Sequence, residues 1–136
     1  MSVLLAGCSV QPATEVDPAQ IEAAVREYYE AFNCYDLDRI EAVFTKQTWR
    51  EERWDFVALI RWAKENNFKS EFVSIISMEI EGDSVWAMVE VESGVGSGKD
   101  YHRLVREHGS WKIAKLFTKK VSSSQPGEMP SSSCCP

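Results

Sequence analysis

At 136 residues the chain has room for one hydrophobic core and not for two. Apolar residues at 44% and charged ones at 26% are the make-up of an ordinary globular domain. A formal net charge of −6 argues against nucleic acid as a partner, because phosphate binding draws on clustered Lys and Arg, and no apolar run reaches the roughly 18 to 20 residues of a membrane-spanning helix.

The start of the chain points elsewhere. Leu5-Ala6-Gly7-Cys8, after an apolar Val3-Leu4, resembles the lipobox of bacterial lipoproteins. The resemblance implies that small residues admit a signal peptidase, that the Cys8 thiol takes a diacylglyceryl group, and that the mature chain is anchored outside the cytoplasm. Seven residues precede Cys8, against roughly 15 to 30 in a secretory signal, so either the true start lies upstream of Met1 or the box is a coincidence. Residues 1–17 then read as a truncated signal and polar tether. The alternative is a mildly apolar, unstructured N-terminus.

Asp17-Pro18-Ala19-Gln20 is a helix start, with Asp as N-cap and Pro at the first helical position. Ile21, Val25, Tyr28 and Phe32 keep helical spacing as far as Asn33, and Glu22, Arg26 and Glu30 take the other side. Asp36 caps a short second helix with Leu37, Ile40, Val43 and Phe44 inside. Thr48-Trp49-Arg50-Glu51 has the form of a capping box opening a third helix, with Trp49, Phe56, Leu59, Ile60 and Ala63 on its inner face and Asn66-Asn67 at its end.

From Phe68 the period changes to two. A strand with Phe72, Ile76, Met78 and Ile80 on one face leads to a hairpin turn at Gly82-Asp83, and the next, Ser84 to Glu92, sets Val85, Ala87, Val89 and Val91 opposite Trp86 and Met88. Ser93 to Gly98 reads as a flexible loop. Lys99–Glu107 and Trp111–Lys119 complete about four strands. Residues 18–120 thus form one domain, and 121–136, rich in Ser and Pro with Cys134-Cys135, read as a disordered tail. No Cys or His spacing suits a metal, and no cofactor motif is present. Cys34 reads as a small buried side chain, with a bridge to the tail as the alternative.

Three helices before an antiparallel meander give an α+β class. Tyr29-Glu30-Ala31-Phe32-Asn33, then Asp36-Leu37-Asp38 and Val43-Phe44, resembles the opening motif of the nuclear transport factor 2-like superfamily, and Gly109-Ser110-Trp111-Lys112-Ile113-Ala114 resembles its last hairpin. The resemblance implies a cone, with three helices packed in a curved sheet. Catalytic relatives of the ketosteroid isomerase or polyketide cyclase type usually carry a polar residue on a short strand after the second helix. Thr45 to Trp54 offers no clear counterpart.

Inside such a cone the candidate hydrogen-bond donors are Tyr28, Tyr29 and Tyr101, and the candidate bases are Glu90 and His102. Arg103 reads as a counter-charge to a ligand or a cross-strand partner of Glu90. Phe32, Trp49, Trp86 and Met88 complete the candidate pocket. Each has a plainer reading: tyrosines at the core rim, Glu90 and Arg103 in solvent, His102 on the surface, tryptophans as core. Three functions follow: a lipid-anchored, non-catalytic domain for a small apolar ligand or partner protein, which is favoured; a small-molecule isomerase or dehydratase; and a module forming a homodimer through its sheet.

Overall fold

The computed structural model describes residues 16–119. The lipobox at Cys8 and the tail from Val121 lie outside them. Helix α1 spans Pro18–Asn33, α2 Leu37–Val43 and α3 Lys46–Glu65, followed by β1 Ser70–Glu81, β2 Ser84–Ser93, β3 Gly96–Glu107 and β4 Ser110–Lys119. The strands form one antiparallel sheet in the order β1-β2-β3-β4. The α+β layout expected from the period change is the one observed.

The caps explain the helix starts. The Asp17 carboxylate accepts from the Ala19 amide at 3.0 Å, and Asp36 from Arg39 at 3.2 Å. Between α1 and α2 the backbone turns at Tyr35, whose φ of 55° is unusual for a side chain of that size. Its hydroxyl donates to the Phe68 carbonyl at 3.1 Å, which ties the turn to the chain entering β1. Asn33 holds the same junction: its side chain donates to the Ser70 carbonyl and accepts from the Ser70 amide. Cys34, at the end of α1, is disulfide-bonded rather than a free buried thiol, and the other three cysteines lie outside the described residues.

Helix α3 starts three residues before the expected box. Thr45 is the N-cap, accepting from the Thr48 amide at 3.1 Å, while the Thr48 hydroxyl donates to the Ala114 carbonyl at 2.8 Å. That carbonyl is free because β4 is bulged between the partners of Arg103 and Leu104. The segment is further held by a bridge between Phe44 and Ile113. Only Phe56, Ile60 and Ala63 of α3 are buried, and Leu59, expected inside, lies at the edge.

Two further bulges, between Phe72 and Ser74 and between Ile75 and Ser77, shift the face of β1, so Ile75 rather than Ile76 points inward with Phe72 and Met78. Ser93 to Gly98 is not a loop. Gly94-Val95 forms a two-residue turn, and Gly96 to Gly98 already pair with β2. The last hairpin turns on His108 and Gly109, both at positive φ, the requirement of a tight turn matched to strand twist. The core lies between α1, α2 and the inner sheet face, filled by Ile21, Val25, Ile40, Val85, Val89, Leu104 and Ile113.

Candidate functional site

The inner face of β2 is wholly apolar: Val85, Ala87, Val89 and Val91 are all buried. Opposite them on β3 stand Leu104, His102, Asp100 and Gly98. Two of these four are polar, and α1 lays Tyr29 over them. The Tyr29 hydroxyl donates to the Asp100 carboxylate and lies 2.8 Å from His102 Nε2. Asp100 is 8% exposed and His102 fully buried.

Proton counting fixes the tautomer. Tyr29 has one proton, given to Asp100, so His102 must donate from Nε2 to the tyrosine oxygen. His102 Nδ1 is then a bare lone pair, buried without a hydrogen-bond partner. Burial pushes the imidazole down to about 3, so the ring is neutral at pH 7. Burial first, and the nearby Asp100 second, push the hydroxyls of Tyr28 and Tyr29 well above the usual tyrosine value. The Tyr28 ring meets His102 and Tyr29 edge-on, with centroids 5.8 and 4.8 Å apart. Asp100, Tyr29 and His102 therefore form a continuous hydrogen-bonded chain from a carboxylate to a neutral imidazole.

The sequence-derived candidates fall on both faces of the sheet. Tyr28, Tyr29, Phe32 and His102 are inside and buried, and His102 is not the surface residue of the plainer reading. Trp86, Met88, Glu90, Tyr101 and Arg103 lie on the outer face, with Trp86 beside Arg103 and Met88 beside Tyr101. They do not share a cavity with the helix tyrosines, because strict alternation sends them the other way. Glu90 stands opposite Lys99, not Arg103. The acid missed by sequence reasoning is Asp100. Its signal was present: Asp100, His102 and Leu104 alternate with Tyr101 and Arg103, and the apolar face of β2 shows which set is inside.

Three clefts lined by described residues lie away from this cluster. One, of about 830 Å³, sits between α2, α3 and the β3–β4 hairpin. Trp49 lines it, packed edge-on to Phe44 and stacked on Phe56, with Lys46, Arg50 and Arg53 along the same helix. A second, about 330 Å³, lies on the outer face around Trp86, Met88 and Tyr101, and a third, about 160 Å³, between α3 and β4. Among the described residues no group of His, Cys, Asp and Glu is arranged to hold a metal, and no helix is long and apolar enough to cross a membrane.

No family model matches the sequence, and no curated protein sequence is similar to it. Solved structures are similar in fold. A nuclear transport factor 2-like protein of unknown function from Shewanella baltica superposes with a TM-score of 0.57 at 15% identity, over 78% of this chain and 94% of that one. A domain of unknown function with a cystatin-like fold from Nostoc punctiforme gives 0.60 at 13%, over 79% and 78%. A putative aromatic ring hydroxylase from Novosphingobium aromaticivorans gives 0.57 at 18%, over 78% and 90%. The helix–sheet arrangement anticipated from the Tyr29–Asn33 and Gly109–Ala114 motifs is thus the one these structures share: the fold of this chain is nuclear transport factor 2-like.

Proposed function

We propose that the chain is a non-catalytic binding domain, tethered outside the cytoplasm through a lipid on Cys8. The observation that carries the binding reading is the mismatch between chemistry and access. The titratable cluster of Tyr29, Asp100 and His102 is shut in the core and hydrogen-bonded within itself, whereas a cleft of about 830 Å³ opens between α2, α3 and the β3–β4 hairpin, lined by Trp49 and by exposed charged groups. A core network of this kind specifies packing, and an open cleft holding one tryptophan among charged groups suits recognition of a small ligand or partner segment. The tether rests on Leu5-Ala6-Gly7-Cys8 and the polar stretch that follows.

Both halves are testable. Expressed behind a bacterial secretion leader, the chain is expected in the membrane fraction with a diacylglyceryl mass increment on Cys8, and Cys8→Ser is expected to release it. Incubation with cyclic ketones in D2O is expected to give no isotope exchange by NMR. Exchange that vanishes in Asp100→Asn would overturn the non-catalytic reading in favour of an acid–base enzyme. That second reading is favoured by one observation, the hydrogen-bonded chain Asp100–Tyr29–His102, in which Asp100 would serve as base.

A further inference from the structure

The cleft between α2, α3 and the β3–β4 hairpin is electrically two-sided. On α3, Lys46, Trp49, Arg50 and Arg53 follow the spacing i, i+3, i+4, i+7, so three cations and an indole share one helix face. The opposite wall, α2, presents Asp38 and Glu41, again one turn apart. All five charged side chains are exposed to solvent, and no ion pair joins the walls among the described residues. The hairpin closes the third side. There Glu107 accepts from the Lys46 amide and the Lys112 ammonium donates to the Ala42 carbonyl at 2.6 Å, so both are engaged within the fold. The α3 wall thus carries Trp49, the Arg50 guanidinium and Arg53, which stacks over Trp54 at 4.7 Å, the α2 wall carries two carboxylates, and the exposed His108 lines the hairpin side.

Resting on the binding reading above, we propose that this cleft takes a small zwitterion bearing a flat apolar group, an aromatic amino acid or a short peptide with free termini. A simple anion satisfies Arg50 and Arg53 but adds repulsion from Asp38 and Glu41, and a simple cation has the opposite difficulty. A neutral ring uses Trp49 alone. Only a molecule carrying both charges is matched on both walls, through a bidentate carboxylate–guanidinium contact on α3 and ammonium–carboxylate contacts on α2. The volume, about 830 Å³, is within the range of small-molecule sites and holds an amino acid or a short peptide.

Four probes of one shape separate the terms: tryptophan, indole-3-propionate, tryptamine and indole, each titrated by calorimetry and by amide chemical-shift mapping on the folded protein. Tryptophan is expected to bind at least tenfold tighter than the other three, shifting amides of α2 and the first two turns of α3. Arg50→Gln with Arg53→Gln is expected to lower its affinity to that of tryptamine, and Asp38→Asn with Glu41→Gln to that of indole-3-propionate. These side chains are exposed, so the variants are expected to keep the wild-type circular dichroism. Equal or tighter binding of indole-3-propionate at the same amides would overturn the zwitterion and leave the binding domain standing, with an anion as its ligand. Shifts confined to the outer sheet face would move the ligand to another site. Absence of binding by all four probes at 10 mM overturns the inference, whereas the binding reading itself falls only if Asp100-dependent exchange is found.

Discussion

Tyr29 of α1 and Asp100 of β3 are joined by a hydrogen bond between side chains 71 positions apart, both in the core, with His102 on the other side of the same hydroxyl. A single oxygen thus bonds both a carboxylate and an imidazole on the inner face of the sheet. Tyr29→Phe removes that oxygen and both of its hydrogen bonds, and is expected to destabilise by roughly 1–3 kcal/mol. Urea denaturation should show this loss with the m-value unchanged. Adding Asp100→Leu should cost much less than the sum of the two single changes, since the carboxylate is then gone too.

The neutral, buried His102 makes stability depend on pH. Its folded value lies near 3, below the ordinary imidazole value of about 6.5, so between those limits the unfolded chain binds the extra proton. Stability therefore rises with pH through this window and falls as pH drops from about 6.5 toward 3, by up to about 1.4 kcal/mol per pH unit from this residue. The groups facing it are Tyr28, Tyr29 and Asp100. Thermal melts at pH 7, 6, 5 and 4 are expected to show the decline, and His102→Gln is expected to flatten its upper part.

Asn33 links the end of α1 to the first residue of β1 through paired contacts with the Ser70 backbone at 3.0 and 2.8 Å. Asn33→Ala should cost about 2 kcal/mol, the scale for backbone groups left unpaired in a buried junction. Asn33→Asp retains the acceptor but sets a carboxylate against the Ser70 carbonyl and the Glu71 carboxylate, and is expected to cost at least as much. Hydrogen exchange at Ser70 and Glu71 reports the local loosening directly.

The Thr45–Thr48–Ala114 chain fastens α3 to the bulge in β4. Thr45→Ala removes the cap and should destabilise by about 1 kcal/mol. Thr48→Val keeps the shape and the backbone cap but loses the hydroxyl's contacts to Thr45 and Ala114, so its effect should appear as faster amide exchange in the first turns of α3 while β1 and β2 keep wild-type protection. Uniform loss of protection across the sheet would argue that α3 does not open separately from the rest.

The helices were legible in the sequence because their signals are local. Asp17-Pro18, Asp36 and Asn66-Asn67 act through bonds to neighbours a few residues away, and a helical apolar stripe survives whatever it packs against. The β2–β3 region was half legible: alternation gave the two faces but not which face of β3 was inside. That depended on register, and the turn at Gly94-Val95, two residues instead of a long loop, fixed Asp100 and His102 against Val89 and Ala87.

By itself the sequence determined the element types, the α+β order and the short motifs that resemble the nuclear transport factor 2-like opening and closing segments. Only the tertiary structure decided which polar residues meet. Tyr29, Asp100 and His102 come together because α1 crosses the sheet at one place, and Thr48 of α3 bonds the Ala114 carbonyl of β4, 66 residues away. The range of the interaction is the physical reason: caps and periods act along the chain, whereas burial and charge opposition act across it.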